Sequence, residues 1–208
     1  MTDYLTEKEQ IELLRNWIKE YSLYILAGFA MAGLVLFGWR EWQQRAAKIQ
    51  MHASSVYDEM LAMRSQNNSE ATIVQAKKLV KHYPQTVYGE LATFMLAKDA
   101  VAKNNYQAAE ERLNWVIDHS RNMSFRQIAR IRLARLQLAL KKPDDSLKML
   151  QKVDDPSFAG LINEVKGDAY LAMNNPNMAR QSYQAALANL PNALEMRPLL
   201  QMKYDNLT

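Results

Sequence analysis

Three histidines, His52, His82 and His119, are the side chains here that titrate nearest neutrality, and they lie far apart, in neither a metal-ligand nor a catalytic-triad spacing. The 208 residues include no cysteine, which removes a thiolate nucleophile, a thiolate metal site and a disulfide framework together. Gly28, Gly33 and Gly38 fall in one apolar stretch and Gly89, Gly160 and Gly167 are isolated, so no glycine-rich loop is available to cradle a phosphate. No catalytic residue, metal or cofactor is expected, and the chain reads as a non-enzyme.

Chemistry of recognition remains. The formal charge is only +4, yet between Asp118 and Asp144 no acid interrupts Arg121, Arg126, Arg130, Arg132, Arg135, Lys141 and Lys142. Such a run suits an acidic partner, a lipid headgroup layer or nucleic acid, or else a solvated helix face. Binding of nucleic acid is not expected, because no stacking aromatics are interleaved with the cations.

The elements that would present these residues are helices. From Glu41 onward apolar residues recur at three and four, with breaks at Gln66 to Ser69, Pro84, Asn104 to Asn105, Ser120 to Met123, Pro143, Pro156 and Asn174 to Pro176. Near the end, Gly167, Tyr170, Ala179, Tyr183, Ala186 and Pro191 follow the G-x2-Y, A-x3-F and P order of the tetratricopeptide repeat (TPR), which is about 34 residues long. The small residues let paired helices close up, the tyrosines fill the gap, and proline ends the second helix. Earlier pairs are degenerate, with Thr72, Ala109 and Ser146 at the small position. The fold class is all-α: one N-terminal transmembrane helix, then a TPR-like solenoid of about four helix pairs, stacked because one pair cannot bury its own apolar face. Ala193 to Tyr204, interrupted by Pro198, reads as a capping helix.

In that register the first helices of pairs two to four turn Leu91, Phe94, Lys98 and Val101, then Ile128, Ile131, Arg135 and Leu138, then Leu161, Glu164, Asp168 and Leu171 toward a groove. Any of them would alternatively pack between repeats. The largely apolar surface suits an apolar segment or partner helix, because Phe94, Ile131 and Glu164 do not supply the cations and amides of a clamp for an acidic terminus.

Mean hydropathy is −0.35, so the apolar content must be local. Tyr21 to Trp39 carries no charge and spans roughly 28 Å as a helix, close to a hydrocarbon layer. Acidic residues precede it (Asp3, Glu7, Glu9, Glu12), unlike the basic start of a signal peptide, and Tyr21, Tyr24, Trp39 and Trp42 sit where rings favour headgroup layers. Gly28 and Ala32, one turn apart, would admit a neighbouring helix. Lys8, Arg15 and Lys19 before the span balance Arg40, Arg45 and Lys48 after it, so charge leaves the orientation open. Thr6 with Glu9 makes a capping-box pattern ahead of Ile11, Leu14 and Ile18, an amphipathic lead-in helix.

The stretches TEKEQIELLRNWIKE (6–20), LFGWREWQ (36–43) and LLQMKYDNL (199–207) resemble the YfgM family of membrane-anchored TPR proteins, ancillary to the Sec translocon of Gram-negative bacteria. The likeness covers the chain in order and size, departing at Ile18, Tyr21 and Ser22. It implies a single-pass type II protein of the inner membrane: residues 1–20 cytoplasmic, 21–39 in the membrane and 40–208 in the periplasm. It also implies association with SecYEG and the periplasmic chaperone PpiD, transfer of newly translocated client proteins to chaperones, and contact with membrane lipid. The alternative is a TPR scaffold for another envelope complex or stress-signalling regulator.

Overall fold

In the computed structural model of the protein, residues 7–190 and 196–207 are described, apart from the side chains of Glu7, Glu9 and Ile25. The proposed capping box at Thr6 and Glu9, the Pro191 stop, and residues 193–195 of the expected cap lie outside what is described. The chain divides into two compact units, one ending at Met51 and one beginning at His52. Among the described residues there is no strand.

The described residues of the first unit belong to α1 (Glu7–Ser65). Among the described residues its large apolar side chains are exposed: Leu23, Leu26, Phe29, Leu34 and Phe37 are each at least two-thirds exposed. Among the described residues no single helix is long and apolar enough to cross a membrane. The segments Gln10–Tyr24 and Leu26–Ser65, meeting at a 45° bend, meet that requirement together.

The second unit begins with the end of α1. Ala53, Val56 and Met60 form one buried face there, and they pack on α2 (Ser69–His82) and α3 (Val87–Ala102). This end of α1 is therefore the first member of the first helix pair. The pairs that follow are α3 with α4 (Tyr106–His119), α5 (Met123–Ala139) with α6 (Pro143–Leu150), and α7 (Ala159–Ala172) with α8 (Pro176–Asn189). A single 3₁₀ turn, Pro156–Phe158, leads into α7, and α9 (Arg197–Asp205) packs on α8. From α2 onward each helix is in contact with the next, and so are α3 with α5 and α5 with α7. First helices thus stand in a row, and each of four apolar clusters joins one pair to the next element, as expected of a solenoid.

The small residue of every pair is buried: Thr72, Ala109, Ser146 and Ala179 are at most 5% exposed. At Gly167 the two helices of the last pair approach closely, because an added Cβ would lie 2.3 Å from Cε1 of the fully buried Tyr183. Each turn within a pair also has one form. Asn67, Asn104, Lys141 and Asn174 have φ of 57–59°, and the next residue's N–H bonds the carbonyl five residues back (Met63, Ala100, Gln137, Tyr170). Asparagine tolerates this left-handed conformation better than other side chains with a Cβ. The following asparagine caps the second helix: the Oδ1 of Asn68, Asn105 and Asn175 accept from Ala71, Ala108 and Met178 at 3.1–3.2 Å. In the third pair lysines occupy both places, and Lys142 makes no side-chain cap.

One expectation changes. Pro198 does not interrupt the terminal helix; it opens it, standing in the first turn of α9, where a missing N–H breaks no helical bond.

Candidate partner-binding site

The groove residues read from the sequence have several fates. On α3, Phe94 is buried, Leu91 is half-buried, and Lys98 and Val101 are exposed. On α5, Ile131 is buried, Ile128 and Leu138 are half-buried, and Arg135 is exposed. On α7, Glu164 is buried, Leu161 and Asp168 are half-buried, and Leu171 is exposed. Ile131, Leu138 and Leu161 pack together between the third and fourth pairs, and Ile128 packs on the cluster around Phe94.

Phe94, Lys98, Val101 and Arg135 come together at one pocket of about 330 Å³ between α3, α4 and α5. Ala97, Leu113, Leu136 and Ala139 complete its apolar wall, and Arg132 joins Lys98 and Arg135 as a third cation. Positions 94, 98 and 101 share one helix face, as do 132, 135, 136 and 139, so two adjacent first helices supply most of the lining. The Arg132 guanidinium lies 4.6 Å from the Phe94 ring centroid, and Phe125 meets the same ring edge-on at 5.8 Å. Burial, and then the neighbouring positive charge of Arg135, push the Arg132 pKa down from its ordinary value.

A second polar constellation lies along α7. Glu164 accepts from an Arg135 guanidinium nitrogen at 2.6 Å and from Lys203 Nζ at 3.3 Å. Lys203 also donates to both oxygens of Asp168 at 2.8 and 2.9 Å, and the Tyr183 hydroxyl donates to Asp168 Oδ1 at 2.6 Å. Burial first, then the bond to Asp168, then the charges of Asp168 and Glu164 push the Tyr183 pKa well above that of an ordinary phenol, which keeps it a donor. Asp168 is thus supplied by α8 and α9, and Glu164 by α5 and α9. This network ties the last pair and its cap to the third pair.

Four of the seven cations of the basic run have partners or places in the body. Arg126 Nε donates to the Ile117 carbonyl at 2.8 Å across the α4–α5 turn, Arg130 donates to Gln127, and Gln127 in turn donates to Asp154. Arg132 and Arg135 go to the pocket. Two of the three histidines have local neighbours: His119 stacks on Trp115 with its Nδ1 3.0 Å from the Trp115 carbonyl oxygen, and His82 lies against Tyr83, while His52 is exposed on α1. Among the described residues no group of three or more His, Cys, Asp or Glu could hold a metal ion. On α1, Gly28 and Ala32 are exposed, and a Cβ added at Gly28 would meet nothing within 4 Å.

Sequence reasoning did not single out Arg132 as lining the pocket, although its place three residues before Arg135 puts both on one helix face. Lys203 offered no local signal, because its partners lie 35 and 39 residues away.

Residues 15–208 match the model of a family described as a tetratricopeptide repeat-like domain. The chain is 30% identical to an "Ancillary SecYEG translocon subunit" of Neisseria gonorrhoeae over all of both chains. Proteins of the same name from Aggregatibacter actinomycetemcomitans and Escherichia coli are 29% identical over 98% of each chain and 27% identical over all of both.

Proposed function

The chain belongs to the family of ancillary SecYEG translocon subunits, and on that premise we propose that it is a non-catalytic, membrane-anchored adaptor at the Sec channel. The observation that carries this is the end-to-end likeness to relatives of that name, which takes in the apolar N-terminal stretch as well as the repeats. Two physical features support it. Residues 21–39 expose large apolar side chains that water would penalise by about 25 cal/mol per Å² and that a bilayer would not. The helix-pair body presents a recognition surface, the pocket between α3, α4 and α5, rather than a constellation of reacting groups.

In this reading residues 21–39 span the inner membrane, 1–20 stay in the cytoplasm and 40–208 work in the periplasm, passing newly translocated proteins to chaperones such as PpiD. Gly28 and Ala32 form the place where a helix of the channel or of a chaperone anchor approaches α1, since both are exposed and no described side chain outside α1's own neighbourhood lies within 4 Å of a Cβ added at Gly28. Gentle solubilisation followed by mass spectrometry of copurifying partners tests the assignment. Channel subunits and PpiD are expected together, and recovery of a different envelope assembly without them would replace the adaptor at the channel by a scaffold elsewhere. A C-terminal reporter that is active only in the periplasm tests the topology, and activity confined to the cytoplasm would reverse it.

A further inference from the structure

The pocket between α3, α4 and α5 has an apolar wall and a one-sided rim. Its polar lining residues are Lys98, Arg132 and Arg135, and none of its lining residues is an acid. Only Arg135 has an anionic partner in the described structure, Glu164 from α7. Among the described residues Lys98 makes no ion pair and is exposed beside the opening, while Arg132 faces an aromatic ring rather than a carboxylate. Arg132 is repelled by the neighbouring Arg135, and with Lys98 at the same apolar hollow and no acid in its lining, the excess positive charge lowers the cost of bringing an anion there. The hollow itself, about 330 Å³, lies at the small end of the range for ligand sites, roughly 300–1,000 Å³. It accommodates one or two large side chains rather than a length of chain.

We propose that this pocket takes a large apolar side chain of a partner polypeptide whose neighbouring turn carries a carboxylate, the apolar group seating against Phe94, Val101 and Ala139 and the carboxylate meeting Lys98 and Arg132. Shape and charge each contribute a distinct part. The wall removes the apolar group from water, and the rim selects an acidic neighbour over a basic one. Arg132 is held in place by Phe94, so it need not be ordered when the partner arrives. The charge requirement goes beyond the apolar occupant that the α3 and α5 face suggested by itself. The inference rests on the adaptor reading for its assumption that the occupant is a protein.

The full chain in detergent micelles tests it by fluorescence anisotropy with a panel of labelled short peptides. Leu, Phe or Trp occupies one position in the panel, crossed with Glu, Gln or Lys one turn away. Glu-flanked peptides should bind about tenfold more tightly than their Lys-flanked counterparts, the size expected for a charge-assisted hydrogen bond. Replacing the large apolar residue by Ser should abolish binding. Lys98→Glu should cancel the preference for Glu-flanked peptides, and Ala139→Trp should fill the hollow and remove binding of every peptide. Both positions are exposed, and circular dichroism checks that the helices persist. Equal binding of Glu- and Lys-flanked peptides, no binding by any peptide, or wild-type behaviour of Lys98→Glu would overturn the proposal. Saturation by decanoate in the absence of peptide discrimination would also overturn it, assigning the pocket to lipid. Copurification of channel subunits from the same strains reports separately on the adaptor reading. Its failure alongside intact peptide discrimination removes the channel assignment and upholds the pocket.

Discussion

Replacing Gly167 by alanine should destabilise this protein, against the usual effect of that change in a helix. In an exposed helix interior Gly→Ala gains about 1 kcal/mol, because glycine loses more backbone freedom on folding. At position 167 the new methyl would lie 2.3, 2.4 and 2.9 Å from Cε1, Cδ1 and Cζ of Tyr183. Ordinary contact begins near 3.4 Å, so the ring or helix must move by about an ångström. The ring has little freedom to do so: it is fully buried, and its hydroxyl is held by Asp168 at 2.6 Å. Overpacking of this kind costs about 1–3 kcal/mol, and losing the Asp168 bond adds about 1–2 kcal/mol. Setting the helix-propensity gain against these leaves a net loss of about 1–4 kcal/mol. For a body of this size each kcal/mol lowers Tm by about 2–4 °C. Thermal unfolding of the full chain in micelles, followed by circular dichroism, reads that shift. A double-mutant cycle with Tyr183→Leu isolates its cause, since in the leucine background the alanine should cost little or nothing and the coupling should approach 2 kcal/mol. A Gly167→Ala protein that is more stable than wild type, or a cycle with no coupling, would refute the close-packing argument.

Two further outcomes follow from the same structure. Lys141→Asn together with Lys142→Asn should restore to the third pair the turn used by the other three, stabilising it by about 1–2 kcal/mol through an easier left-handed residue and a new N-cap; an unchanged Tm would show that the turn does not limit stability. Glu90 is 4% exposed, and burial raises its pKa above 4.5 although a hydrogen bond from Ser120 partly opposes the shift. Because the folded protein holds this proton more tightly than the unfolded chain, stability from Glu90 is fully present below about pH 4.5 and is lost as pH rises through the folded value. Glu90→Gln should therefore raise Tm at neutral pH, with the advantage shrinking as acid is approached, and a constant difference across pH would exclude this carboxyl as the cause.

The TPR arrangement was legible because its signals are local. Glycine, alanine and tyrosine at fixed spacings report how closely two adjacent helices can approach, and the buried Tyr183 over Gly167 is the contact those spacings encode. The Asn67–Asn68, Asn104–Asn105 and Asn174–Asn175 steps, which the sequence showed as breaks, carry a more specific signal: they mark three of the four turns within pairs, because each needs one left-handed residue followed by a cap. The first pair was harder to place, since its leading helix has no start of its own and is the continuation of α1.

The groove residues show where local reasoning stops. Periodicity put Phe94, Lys98, Val101, Ile131, Arg135 and Glu164 on inward helix faces, yet it could not say which would be covered. Ile131 is sealed between α5 and α7, whereas Lys98 and Val101 stay open beside the pocket. By itself the sequence determined the helical class, the repeat and the uncharged stretch at 21–39, because propensity, spacing and hydropathy act within a turn or two of each residue. Only the tertiary structure decided that Lys203 reaches Glu164 and Asp168, that Arg132 lies over Phe94, and that three cations gather at one apolar hollow. Those relations depend on how successive helix pairs stack, and the stacking is set by the sum of side-chain volumes across each interface rather than by any residue's own neighbours.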